Sequence, residues 1–273
     1  MRRVRGLLVA TALATALTRG AAAEEEAEEP RYSPWQSKKY TSLAASASDV
    51  GIVYARPHLT LGWGAPFWQF VGLDAYAIAT NSFASSYAGW RASLPWLDVQ
   101  WGARFVYPYN RQLLQKKESY GPADLPLGSD GERSTYRVVE LEITRLAAVL
   151  HGVIFLELHP LWIDAPKDMH LFEEMMRAVV EPPFAMRTRL GYLYDFEGTG
   201  DKAGAMTEYM IMPGRPGNVT RVGPVLIVSL SQHYEILATA TFTVSSPDSL
   251  GLYEGSYGFL GLRARWAQRL FAD

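Results

Sequence analysis

The stretch 96-WLDVQWGARFVYPY-109 splits into two interleaved lists. Every second residue from Leu97 gives Leu97, Val99, Trp101, Ala103, Phe105 and Tyr107, while the residues between them include Asp98, Gln100, Gly102 and Arg104. Successive side chains of an extended strand point to opposite faces, so the stretch reads as a strand with one apolar, aromatic-ended face and one polar face. It is longer than the usual soluble strand of about 5 or 6 residues, and it reaches the about 9 to 11 residues that a tilted strand needs to cross a bilayer. A soluble sandwich, a ligand-binding barrel and a membrane barrel would all accept it, so the rest of the chain has to choose.

Outward from this strand the same alternation recurs. Segments of similar pattern lie at 38–48, 51–63, 66–80, 83–94, 96–108, 134–147, 150–163, 183–196, 205–213, 219–231, 234–246 and 255–268, with the first and the ninth the weakest. Twelve is an even number, as an up-and-down barrel with both chain ends on one side requires. The connections then divide by length. Those at 49–50, 81–82, 109–133, 164–182, 214–218 and 247–254 fall at one end, and those at 64–65, 95, 148–149, 197–204 and 232–233 at the other. Both long loops share an end, the asymmetry expected when long loops face outward and tight turns face the periplasm. Within the second loop, 165-APKDMHLFEEMMRAVVEPP-183, Asp168 is placed to cap a helix. Leu171, Met175, Met176, Val179 and Val180 follow at helical spacing, so a short amphipathic helix is expected near 168–180.

The N-terminus adds a compartment. Arg2, Arg3 and Arg5 precede an apolar run from Gly6 to Leu17, and Ala21-Ala22-Ala23 stands before an acidic run. That is the layout of a secretory signal peptide over 1–23. The run is too short for a membrane helix. Residues 24–37 read as a solvated acidic leader, and 38–273 as the barrel. With the four signal-peptide arginines (Arg2, Arg3, Arg5 and Arg19) set aside, basic residues fall from 26 to 22 against 28 acidic ones, a formal charge of −6. This balance gives no argument for nucleic acid, and the absence of cysteine excludes disulfides, thiolate metal sites and a lipid-attachment cysteine.

One parity of each segment is apolar, as in Val71, Leu73, Ala75 and Ala77, or Ile236, Ala238, Ala240, Phe242 and Val244. Trp63, Phe67, Tyr107, Trp162, Tyr192, Tyr194, Tyr234 and Trp266 cluster near segment ends, where amphipathic rings suit lipid headgroups. The general pattern resembles that of bacterial outer-membrane β-barrels, and 257-YGFLGLRARWAQRLF-271 is similar to their C-terminal assembly strand, although the chain ends Phe271-Ala272-Asp273. The resemblance implies an all-β, transmembrane, antiparallel up-and-down barrel of about 12 strands, exported to the outer membrane. Outer-membrane lipid and the barrel-assembly machinery are the implied partners. The inverted arrangement, apolar parity inside, would be a secreted lipocalin-like binding barrel.

The polar parity supplies the candidate lumen and solute-binding residues: Arg56, Arg91, Arg104, Glu140, Glu142, Glu157, Arg187, Arg189, Arg221, Arg263 and Arg265. Two arrangements are open. The charges pair and fill a narrow lumen, giving a largely plugged structural barrel. Alternatively they segregate, with arginines facing Glu140, Glu142 and Glu157, giving a passive channel for small, anionic or zwitterionic solutes. An outer-membrane lipid hydrolase would need a histidine, a serine and an orienting group together. The nearest approach is His58-Leu59-Thr60, with threonine in place of serine, so no catalytic constellation is assigned. No cofactor or metal is expected: His151 and His159 on one strand stand about 26 Å apart, and His170 with Glu173 reads as a solvated helical pair.

Overall fold

The computed structural model describes residues 40–51, 54–110, 112–125, 134–166, 168–196 and 199–270, so the expected signal peptide and acidic leader lie outside the described residues. The strands are β1 (Tyr40–Gly51), β2 (Tyr54–Arg56), β3 (His58–Ala65), β4 (Gln69–Thr80), β5 (Phe83–Leu94), β6 (Leu97–Pro108), β7 (Leu113–Gln115), β8 (Tyr136–Val149) and β9 (Gly152–Asp164). They continue as β10 (Met169–Glu173), β11 (Ala178–Val180), β12 (Phe184–Asp195), β13 (Lys202–Ile211), β14 (Val219–Ser229), β15 (Tyr234–Ser245) and β16 (Ser256–Arg269).

Neighbouring strands pair antiparallel in chain order, and β16 pairs back onto β1, with Asp49 opposite Arg263 and Leu43 opposite Arg269. The sheet is therefore a closed barrel of twelve strands, β2 and β3 being two halves of one strand parted at Pro57. Proline has no N–H for the ladder, and its carbonyl still accepts from Ala77 at 3.1 Å. Closure also needs tight bending, and glycine permits it. At the Gly62–Gly72 pair a Cβ on Gly62 would stand 2.1 Å from the Val71 carbonyl oxygen.

The expected parity is the observed one. Leu73, Trp101, Phe105, Leu226, Phe242, Val244 and Leu260 point outward and are exposed. Trp63, Tyr107, Trp162, Tyr194, Tyr234 and Trp266 are exposed toward the strand ends. Phe67 departs from this list: it turns inward from the β3–β4 turn and packs on the cluster of Leu43, Ala45 and Phe70.

The two long loops lie at the same end, as expected, but the helix near 168–180 does not form. Residues 169–180 instead make a hairpin, β10 with β11, and β7 from the other long loop joins it as a third strand. The only helical turns among the described residues are 3-10 turns at Pro122–Asp124 and Gly251–Tyr253. The apolar residues of this loop suit a two-faced strand. Leu171 and Val180 point into one cluster, while Phe172 and Val179, their chain neighbours, point into another. Arg177, at φ 52°, closes the hairpin turn, and its N–H donates to the Glu173 carbonyl at 2.7 Å.

Candidate functional site

The barrel interior changes along its axis. Across β9 to β14 the long-loop side turns buried residues inward, whereas toward the short turns the same parity becomes partly exposed; on the opposite wall the short-turn end is covered by Leu43, Ala45, Phe67 and Phe70. In β9, His159, Leu161 and Ile163 are buried while Val153, Phe155 and Glu157 are not; in β14, Val219 and Arg221 are buried while Val225, Ile227 and Ser229 are not. The loop sheet causes the difference. Leu113, Leu171, Met176, Ala178 and Val180 insert among inward residues near the mouth, including Phe83, Val106, Val138, Ile163 and Met210. Burying each large apolar side chain contributes about 1.5–3 kcal/mol. The outer face of the loop sheet is covered in turn by Tyr120, Leu125 and Leu250.

Polar groups bolt this cork in place. Arg221, at 0% exposure, donates to the carbonyls of Met176 and Arg177, each at 2.8 Å, and to Glu208 at 2.9 Å. Arg104 bridges Glu140 on β8 (3.1 Å) and Glu173 on the hairpin (3.0 Å). Glu173 also accepts from the Met176 N–H at 2.7 Å. Arg177 donates to the carbonyls of Tyr253 and Gly255. Arg215 binds Asp248 at 2.5 Å, tying together two neighbouring loops. In the loop sheet, burial, reinforced by neighbouring Glu173, pushes the Glu174 carboxyl up to about 7; its partner is the Gln112 amide at 2.7 Å. Burial, then the positive charge of Arg215, lowers His170, whose Nδ1 faces the Tyr120 hydroxyl at 2.7 Å.

The eleven candidate lumen residues lie on the inward parity, and cross-strand register orders five of them into rows of alternating sign. One row runs Glu157–Arg189–Glu208–Arg221 across β9, β12, β13 and β14. Another runs Arg56–Asp49–Arg263–Glu235 across β2, β1, β16 and β15. Directly opposed residues on a sheet have Cβ atoms about 4.5–5.5 Å apart, and the first row is a chain of ion pairs throughout, while in the second Asp49 pairs with Arg56 and Arg263 and Glu235 pairs with Arg265. Arg189 Nε meets Glu208 at 2.7 Å, Arg187 meets Glu157 at 3.0 Å, Arg263 meets Asp49 at 2.7 Å, and Arg265 meets Glu235 at 2.8 Å. Arg56 shares Asp49 with Arg263, and Arg91 holds Asp98 at 3.0 Å.

The arginines and Glu140, Glu142 and Glu157 are therefore interleaved rather than set on facing walls. Glu157 lies between Arg187 and Arg189, and Arg104 holds Glu140; Glu142 alone of the three has no guanidinium bonded to it. Sequence reading missed Asp49, Glu208 and Glu173. Local pattern puts Asp49 in a turn and Glu173 in a helix, whereas Glu208 shares the inward parity of Met206 and Met210 in the weak ninth segment.

Glu142, Glu157 and His159 place three ligand atoms within 4.8 Å of one another. Arg187 already supplies a cation there, donating to His159 Nδ1 at 2.9 Å as well as to Glu157. His58 binds Asp74 through Nε2 at 2.8 Å, and the Thr60 hydroxyl donates to the same carboxylate at 2.6 Å. The Thr60 proton thus points to Asp74 and not to His58, which is not the geometry of a base activating a nucleophile. No family model matches the chain, and no curated protein matches it.

Proposed function

We propose that this chain is an outer-membrane β-barrel held shut at its long-loop mouth by its own loops: a closed barrel with a wet cup on the opposite side, not a standing open pore. The observation that carries this reading is the three-stranded loop sheet, whose apolar face is buried in the mouth and whose backbone carbonyls are held by Arg221. The charge network nearest the mouth, where Arg104 joins Glu140 to Glu173 and Arg221 joins Glu208 to the hairpin, supports it as well.

Placement in a membrane is supported by the direction of the parity. Large apolar side chains such as Leu73 (66% exposed) and Trp101 (57%) face outward, while buried ion pairs face inward. A soluble lipocalin-like barrel needs the reverse. Export and signal cleavage are part of the same reading.

The test is conductance in planar bilayers. The intact protein gives no steady steps at moderate voltage, and a version with residues 168–181 replaced by a short Gly-Ser turn conducts. Steady, ohmic conductance from the intact protein would overturn the closed-barrel reading.

A further inference from the structure

The charge rows do not account for the whole lumen wall. In the half toward the short turns, Val153, Leu193, Val225, Ile227 and Leu237 also point inward and stay partly exposed. Register sets them in two pairs, Val153 opposite Leu193 and Ile227 opposite Leu237, and between them β13 contributes only Gly204 beside Leu193 and Val225, with Lys202 beside Ile227. None belongs to a buried core cluster among the described residues. An apolar patch facing water inside a barrel is costly to leave bare, since water must cover it without burying it against anything.

The next row beyond Ile227–Leu237 is charged, with Glu235 opposite Arg263. Arg263 uses only its Nε, on Asp49 Oδ1, and Arg91 uses only its Nε, on Asp98. Among the described residues their terminal nitrogens carry no hydrogen bond, and the side chains are 25% and 28% exposed. Arg91 lies over the Phe70 ring at 5.6 Å and Arg265 over the Phe67 ring at 5.7 Å, and these two rings share one apolar cluster, which brings Arg91 to the β16 arginines Arg263 and Arg265. Asp49 is fully buried and holds Arg56 and Arg263 together, while Asp98 holds Arg91. Arg56, Arg263 and Arg265 share two carboxylates, Asp49 and Glu235, which leaves local positive charge beside the apolar patch.

We propose that the cup binds an amphipathic anion, with a carboxylate or phosphate head on the free forks of Arg263 and Arg91 and an apolar body along Leu193, Val225, Ile227 and Leu237. The guanidinium fork matches the planar pair of oxygens of either head. The proposal rests on the closed-barrel reading in one respect, that the cup is blind and so retains its ligand.

The experiment uses the full chain in lipid nanodiscs, labelled with phenylglyoxal and mapped by mass spectrometry. The probe is 4-tert-butylbenzoate, with inorganic phosphate as the head alone and 4-tert-butylbenzylamine as the body with the opposite charge. The probe is expected to slow labelling of Arg91 and Arg263 on the order of tenfold at saturation, inorganic phosphate to do so only at far higher concentration, and the amine not at all. Arg263→Lys keeps the charge and loses the fork, and is expected to weaken protection on the order of tenfold; the wild-type labelling stands alone if this variant does not fold.

Equal protection by phosphate and by the probe, or protection by neither, would overturn the proposal. So would arginines that are unreactive in the ligand-free chain and become reactive only when residues 24–39 are removed, because the cup's occupant would then be a piece of this chain. Bilayer conductance separates the two readings. A conducting protein that still shows selective protection sinks only the closed mouth, and a silent one without protection sinks only the anion site.

Discussion

Arg221 concentrates several roles in one side chain. It neutralises Glu208, caps two carbonyls of the hairpin turn and lies fully buried between barrel wall and cork. Arg221→Met fills much of the same volume but leaves those carbonyls without a donor and Glu208 with fewer partners. Removing one member of a buried ion pair costs about 3–5 kcal/mol, so the detergent-solubilised variant should melt at a lower temperature. It should also conduct in bilayers, where wild type does not. Glu174 makes a prediction of opposite sign. Its folded pKa of about 7 lies above the ordinary carboxylate value of 4.5, so the loop sheet is undisturbed below the lower value and loses stability as pH rises through 7. His170, lowered from 6.5, acts the other way, losing stability as pH falls below its ordinary value. At pH 8 His170 is neutral in both states, so the Glu174 dependence is read there without it. Glu174→Gln should therefore slow amide exchange in residues 169–180 at pH 8 and change it little at pH 4; an unchanged rate at pH 8 would remove Glu174 from the balance.

At the scale of elements, the loop hairpin shows how context overrides local pattern. Leu171, Met175, Met176, Val179 and Val180 satisfy helical spacing, yet the hairpin buries apolar neighbours on two faces at once, inside the mouth and under the 116–125 loop. A helix with one apolar stripe could not fill both. The β7 strand, from a loop about 50 residues earlier in the chain, gives β10 its second neighbour, pairing His170 with Leu114. Hairpin and β7 are thus one element built from two loops, and weakening either should open the other. Val180→Asp puts an uncompensated carboxylate into the apolar cluster and should expose the Arg177 peptide bond to trypsin in the folded protein. Resistance equal to wild type would show that the hairpin does not depend on that burial.

For the molecule as a whole, the direction of the parity makes a quantitative distinction. Leu73 is outward and 66% exposed. In a bilayer an arginine on the lipid face near the midplane costs about 2–4 kcal/mol, whereas on a water-facing surface such a change stays within about 0.5 kcal/mol. Leu73→Arg should therefore lower the urea midpoint for folding into phospholipid vesicles, and the unheated wild-type protein should migrate on detergent gels at a position distinct from the boiled one. A neutral Leu73→Arg would favour a water-facing outer wall.

The number of barrel strands, their approximate limits, the face each presents and the end that carries the long loops were all legible in residues 38–268, because period-two alternation and turn spacing are local properties of the chain. The inward position of all eleven candidate lumen residues followed from the same alternation. What tertiary structure alone decided is which charge meets which. Arg263 and Asp49 are 214 positions apart and meet only because the last strand closes on the first; Arg104 and Glu173 are 69 apart and meet only because a loop folds back into the mouth. Parity assigns a side chain to the inside of a barrel, but register around the closed sheet assigns its neighbour, and the shape of the mouth assigns the fold of the loops that fill it. The face of 96-WLDVQWGARFVYPY-109 could be read from its own letters, whereas the buried bridge from Arg104 to the hairpin could not.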